Sequence, residues 1–244
     1  MVVSFDRGVS EGSVKSRWLG YVVAGALVCA APQLWAAAQS STAKSTAKQA
    51  LPTKNASAKT GTAKAPASPD DYKSIGQKSA PITMEVFSDY QCPSCRELYL
   101  QTLRPLIQDY VSTGKIYLIH RDMPLTAHQY SRVAARYVNA AAKLNKLEPA
   151  IEAVYQAQDR WAQDGNVEGA LSKVLSPAEM KKARALVAGG TLEPSIDSDV
   201  ALATKFHVAS TPTSVITHNG QTYPIVGVMN YRMLRQFVDD LLKK

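Results

Sequence analysis

Cysteine and histidine are scarce in this 244-residue chain, which has three of the first and four of the second. Cys92 and Cys95 form one Cys-x-x-Cys pair, and no second pair accompanies it. A structural zinc site draws on two such pairs, or on one pair with closely spaced histidines. His120 and His128 stand too far apart for that, and His207 and His218 are scattered. No metal site and no cofactor are expected. A staple between Cys92 and Cys95 would close a very short loop, worth about 2 kcal/mol in the chain-entropy model and less than a long-range bridge. That is a poor use of the only pair.

Acidic and aromatic residues are absent from residues 39–69, although Lys44, Lys48, Lys54, Lys59 and Lys64 lie there. Residues 70–244 are nearly balanced in charge, so the net charge of +8 belongs mostly to this dilute basic segment. With no aromatics between the lysines, the segment lacks the stacking platform of a single-strand nucleic-acid site. No nucleic-acid partner is expected. The same segment is rich in Ala, Lys, Ser and Thr, repeats Ser-Thr-Ala-Lys in tandem, and has almost no large apolar residue. It cannot bury enough surface to offset its ordering entropy, so 39–69 reads as a disordered linker.

No long apolar run follows residue 38. Before it, Arg7, Lys15 and Arg17 precede the apolar stretch Leu19 to Ala31, and Ala36-Ala37-Ala38 offers a small-residue cleavage site. Residues 1–38 read as an export signal, cleaved or retained as an anchor. A retained anchor would leave the linker to span about 30 Å. Either way the expected location is periplasmic or otherwise extracytoplasmic, where disulfides form and persist. Cleavage after Ala38 removes Cys29 and leaves Cys92 and Cys95 alone.

The ordered part is expected over 70–244. "ITMEVFS", Ile82 to Ser88, reads as a strand. A helix follows from Cys92 or Pro93, with Tyr99, Leu103, Leu106, Ile107, Tyr110 and Val111 at helical spacing and a kink at Pro105. "KIYLIHR", Lys115 to Arg121, is a second strand, which makes a βαβ unit with a parallel pair. Residues 125–206 carry only helical patterns, including a capping box at Ser176 to Glu179 and a face of Ile196, Val200, Ala203 and Phe206. His218-Asn219-Gly220 then joins strands Thr213–Thr217 and Gln221–Val226, and a last helix starts near Tyr231 with Asn230 as its cap. The expected class is α/β, a mixed sheet with helices on both faces.

The Cys-x-x-Cys pair falls where the first strand gives way to the first helix. Unpaired N–H groups and the positive end of the helix dipole face Cys92 there, and both favour its thiolate. In a redox couple Cys92 would attack or be attacked at a substrate disulfide, and Cys95, one turn on, would resolve the mixed disulfide. Pro93 suits the first helical position.

"FSDYQCPSCR", "RDMPLTAHQYSRVAARYVNAA" and "TPTSVI" together resemble the DsbA-like thiol–disulfide oxidoreductases of the thioredoxin superfamily. The resemblance covers about Ile82 to Leu242. It implies a thioredoxin-like fold with a helical domain inserted between the second strand and the cis-proline strand. It implies that Cys92 is an exposed nucleophile, Cys95 the resolving thiol, Pro212 a cis proline shaping the site, and Thr211 a backbone partner for an extended substrate. Cysteine-containing exported proteins would be the substrates, a membrane redox partner would reset the site, and the protein would be a monomer. The direction leans to dithiol oxidase, with reductase, isomerase and a non-catalytic peptide-binding chaperone as alternatives. One departure is plain: the family's buried acid, six residues before the first cysteine, is Val86 here, and Glu85 should point to the opposite face. Tyr90 and Trp161, with Met123 and Met229, are candidates for an apolar rim, and His128 for a structural hydrogen bond.

Overall fold

Alternation along Ile82–Ser88 does what a half-buried strand requires: Ile82, Met84 and Val86 enter one core, and Phe87 enters a second on the opposite face. This strand, β2, lies at the centre of a five-stranded sheet in a computed structural model that describes residues 71–244. The expected signal, Cys29 and the linker lie outside the described residues. The sheet order is β1-β3-β2-β4-β5, with β1 at Ser74–Ile75, β3 at Ile116–Asp122, β4 at Thr213–His218 and β5 at Gln221–Val226. β2 and β3 are parallel, with Val86 opposite His120 and Ser88 opposite Asp122. β4 runs antiparallel to β2, and β5 to β4. Asn219 and Gly220 both have positive φ between β4 and β5, the backbone that a two-residue hairpin turn demands.

After β2 the chain turns helical as α1, Pro93–Leu98, and continues through a π-wound stretch Tyr99–Leu103, α2 at Arg104–Leu106 and a second π-wound stretch Ile107–Val111. Pro105 has no N–H to give the ladder, and the irregularity expected there takes the form of widened turns on both sides. The apolar row from Tyr99 to Val111 is buried as its spacing requires. Gly114, at φ +74°, turns the chain into β3.

Six helices follow before β4: α3 (Ser131–Ala142), α4 (Leu147–Gln156), α5 (Gln158–Asp164), α6 (Val167–Leu171), α7 (Pro177–Ala188) and α8 (Glu193–Lys205). Ala134, Val138 and Ala141 seat α3 in the core with no exposure. Ser176 and Glu179 form the expected capping box on α7. Ile196 and Ala203 of the expected α8 face are buried and Phe206 packs on the second core, but Val200 is 37% exposed while Asp199 is buried. Burial of Asp199 is possible because Lys73 Nζ and Arg121 Nη1 both pair with its carboxylate. Lys73 also reaches Asp122 at 3.4 Å, and Asn139 on α3 donates to Asp122 at 2.7 Å. This network ties the entry to the fold, the end of β3, α3 and α8 together. The chain closes with α9, Tyr231–Leu241, whose cap Asn230 accepts from the Met233 N–H. Among the described residues, no helix is long and apolar enough to cross a membrane.

Candidate active site

The end of β2 delivers Asp89 to Cys92 to the top of the sheet. Cys92 has extended backbone, φ −75° and ψ 122°, and stands at the N-cap of α1, with Pro93 in the first turn. Cys95 faces inward from that turn. Both are free thiols and both are buried, Cys92 at 8% exposure and Cys95 at 1%. The expectation of an exposed Cys92 is therefore corrected: it is buried, with the Thr211 carbonyl against its thiol. Pro93 and Ser94 are the exposed members of the motif.

Thr211 and Pro212 reach Cys92 from the other end of the sequence. Their peptide bond is cis, and the Cys92 thiol lies 3.6 Å from the Thr211 carbonyl oxygen. Gly227 N–H donates to the Pro212 carbonyl at 2.8 Å, which holds this segment against the end of β5. The structure thus brings Cys92, Cys95, Thr211 and Pro212 into one place.

The two thiols are electrostatically unlike. Cys92 is pushed down to about 5, first by a hydrogen bond from the Cys95 thiol, then by backbone N–H groups of the helix start and by Thr211, against the effect of burial. Burial pushes Cys95 strongly up, and the neighbouring Cys92 adds to that. At neutral pH the reduced pair holds one thiolate and one thiol, with Cys95 donating to Cys92.

Asp89, Gln91 and Gln158, which the sequence reading did not single out, hold this arrangement together with His128, which makes the structural hydrogen bond expected of it. The Asp89 N–H donates to Cys95 Sγ at 3.4 Å. The Asp89 carboxylate, fully buried, accepts from Gln91 N, Leu125 N and His128 Nδ1 at 2.7 to 2.8 Å. Gln158 on α5 donates to the carbonyls of Tyr90 and Cys92, at 2.7 and 3.1 Å. Gln91 accepts from Tyr130 N and donates to the Ala162 carbonyl. Arg96 pairs with Asp159 at 2.7 Å. Asp89 could have been suspected from its place beside the motif, but Gln158 carries no local signal.

Tyr90 and Trp161 are not an apolar rim: they are 4% and 1% exposed. Tyr90 packs at a tilt against Tyr155, which packs at a tilt against Tyr99, and Trp161 donates its indole N–H to the Val154 carbonyl. Met123 and Met229 are half-buried against the two cores. Val86 is buried and Glu85 points to the far face, where it pairs with Arg121 at 2.7 Å. The residue opposite Val86 is His120, 5% exposed, with Nε2 unpaired; burial lowers its pKa to about 4.

A thioredoxin family model matches residues 67–240, and the chain belongs to that family. A probable disulfide bond formation protein D of Bacillus cereus is 21% identical over 178 residues, which cover 70% of this chain and 79% of that protein. A Na+/H+ antiporter, NhaA 3 of Salinispora tropica, is 34% identical over 79 residues; the match spans 32% of this chain but only 12% of the antiporter. The fold is shared with solved structures, among them the following two. BdbD from Bacillus subtilis, oxidised, is 20% identical with a TM-score of 0.60, over 70% of this chain and 93% of that one. α-DsbA1 from Wolbachia pipientis is 21% identical with a TM-score of 0.59, over 69% and 89%. The fold is that of the DsbA-like proteins, a mixed sheet with helices intervening between β3 and β4.

Proposed function

We propose, from membership of the thioredoxin family and the chemistry of its two thiols, that this chain is an exported thiol–disulfide oxidoreductase that oxidises protein dithiols. Cys92 is the attacked and attacking sulfur, Cys95 the resolving thiol, and Thr211 and Pro212 receive the extended substrate segment. The observation that carries this reading is the contrast between Cys92, pushed down to about 5, and its buried neighbour Cys95, pushed up.

The reaction follows from that contrast. A substrate thiolate attacks Cys92 of the oxidised pair; the Cys92–Cys95 bond breaks and Cys95 leaves as a thiolate that takes a proton. A second substrate thiolate then attacks the substrate sulfur of the mixed disulfide. The substrate disulfide forms and Cys92 departs as thiolate, so two electrons pass from the substrate to the protein. A low pKa makes Cys92 a good leaving group and stabilises the reduced form, which favours the oxidant direction. A membrane redox partner removes the electrons and restores the disulfide. The substrates are exported proteins with cysteines, and residues 1–38 direct the chain to the compartment where they fold.

Equilibration with glutathione tests this reading. A potential near about −120 mV is the expected result; one near about −270 mV would assign a reductant instead. Failure to exchange at all would leave a non-catalytic peptide-binding module.

A further inference from the structure

We propose that His128 is a positioning residue for Cys95, acting through Asp89; the inference rests on the disulfide-exchange reading above. Cys95 carries negative charge twice in the reaction cycle: when it leaves Cys92, and when it returns to attack a mixed disulfide. At 1% exposure it has no bulk water to stabilise that charge. The Asp89 N–H, 3.4 Å from Cys95 Sγ, is a fixed donor aimed at it. A preorganised N–H in a dry site stabilises developing charge at no reorganisation cost, provided its direction is held.

That direction is held by the side chain of the same residue. The Asp89 carboxylate has no exposure, and a buried carboxylate persists only with a full set of donors. Two are backbone groups, Gln91 N on the motif side and Leu125 N across the site. The side-chain donor is His128, Nδ1 to Oδ2 at 2.8 Å. Asp89 is thereby gripped from both sides of the site, and its peptide plane is fixed by the same grip. His128 is itself 26% exposed, so its substitution removes a donor without emptying the core. Loss of this bond frees the carboxylate to turn toward solvent and carries the N–H away from Cys95. The consequence falls on Cys95 alone. Cys92 draws on the Cys95 thiol, the N–H groups of α1 and Thr211, none of which is hydrogen-bonded to His128.

The test separates the two sulfurs. The mixed disulfide of Cys92 with glutathione is formed in the full-length protein, and release of glutathione by Cys95 is followed by rapid mixing. His128→Leu and His128→Gln, neither of which places a donor at the Nδ1 position, are expected to slow release about tenfold, the scale of one hydrogen bond to a charged group. The ultraviolet titration of the Cys92 thiolate should keep its midpoint in both. His128→Asn, whose amide nitrogen lies at the Nδ1 position, should stay within about threefold of the parent. Release as fast in His128→Gln as in the parent overturns the proposal. So does an equal loss in His128→Asn, or a Cys92 midpoint that moves together with the release rate. A parent protein that forms no mixed disulfide overturns the disulfide-exchange reading itself, and this inference with it.

Discussion

Val86 on β2 lies directly opposite His120 on β3, and both side chains are buried. An apolar residue stands where the family resemblance implies an acid, and the ionisable group opposite it is an imidazole held neutral. Its effect on stability has a definite sign. Burial lowers His120 from 6.5 to about 4, so the unfolded chain takes up a proton before the folded one does. The contribution is complete above pH 6.5 and is lost as pH falls from 6.5 toward 4, by about 3 kcal/mol in all. Asp122, raised to about 6 by burial, works the other way between its ordinary value near 3.8 and 6. Comparing denaturant unfolding of the parent and His120→Leu between pH 4 and 7 isolates the histidine: the variant should lack its part of the slope.

Thiolate absorbance gives a direct reading of Cys92. The reduced protein should titrate with a midpoint near 5. Because the Cys95 thiol is the leading cause of that lowering, Cys95→Ala should move the midpoint upward. A midpoint that stays put in the variant would transfer the effect to the helix start.

Cysteine substitutions divide the reaction. Cys92→Ser should abolish disulfide exchange, whereas Cys95→Ser should accumulate mixed disulfides with substrate, visible as added mass under non-reducing conditions. Function intact in Cys92→Ser would favour a binding module.

Gln158 donates from a buried position to the carbonyls of Tyr90 and Cys92, at the N-terminal end of the motif. Gln158→Leu leaves both without that donor, at an expected cost of about 1–3 kcal/mol in denaturant unfolding. The Cys92 midpoint should respond less than the stability does.

Asp199 pairs with both Lys73 and Arg121 at 1% exposure. Asp199→Leu leaves the buried Lys73 ammonium with Asp122, at 3.4 Å, as its remaining ion-pair partner, and breaking a buried pair of this kind costs about 3–5 kcal/mol. Thermal unfolding should fall well below that of Val200→Ser, one residue away on the exposed side.

Much of this architecture was legible because the apolar periods are clean. Ile82–Ser88 alternates, Tyr99 to Val111 repeats at helical spacing, and Asn219-Gly220 marks its turn. Cys92, Cys95, Thr211 and Pro212 could be named from local motifs and family resemblance, and they do meet. β1 could not be found, since two residues carry no period. On α8 only Val200 departs from the expected face, because Asp199 goes inside and the cations that allow it lie in distant segments. Tyr90 and Trp161 were misplaced for a related reason: the Trp161 indole finds the Val154 carbonyl inside the fold and has no need of a surface. The support from Asp89, His128 and Gln158 is spread across three segments, and only tertiary structure assembles it.

The thiol of Cys92 and the carbonyl it faces are 119 residues apart. β2 stays without its antiparallel neighbour until the entire helical segment between β3 and β4 has been made and has folded back. Pairing of this kind is entropically late, since a long loop must close before the contact rewards it. On a chain delivered N-terminus first, the two cysteines are therefore present well before the segment that faces Cys92. The nascent protein is, for that interval, a thiol-bearing client of the same oxidising surroundings it is proposed to serve.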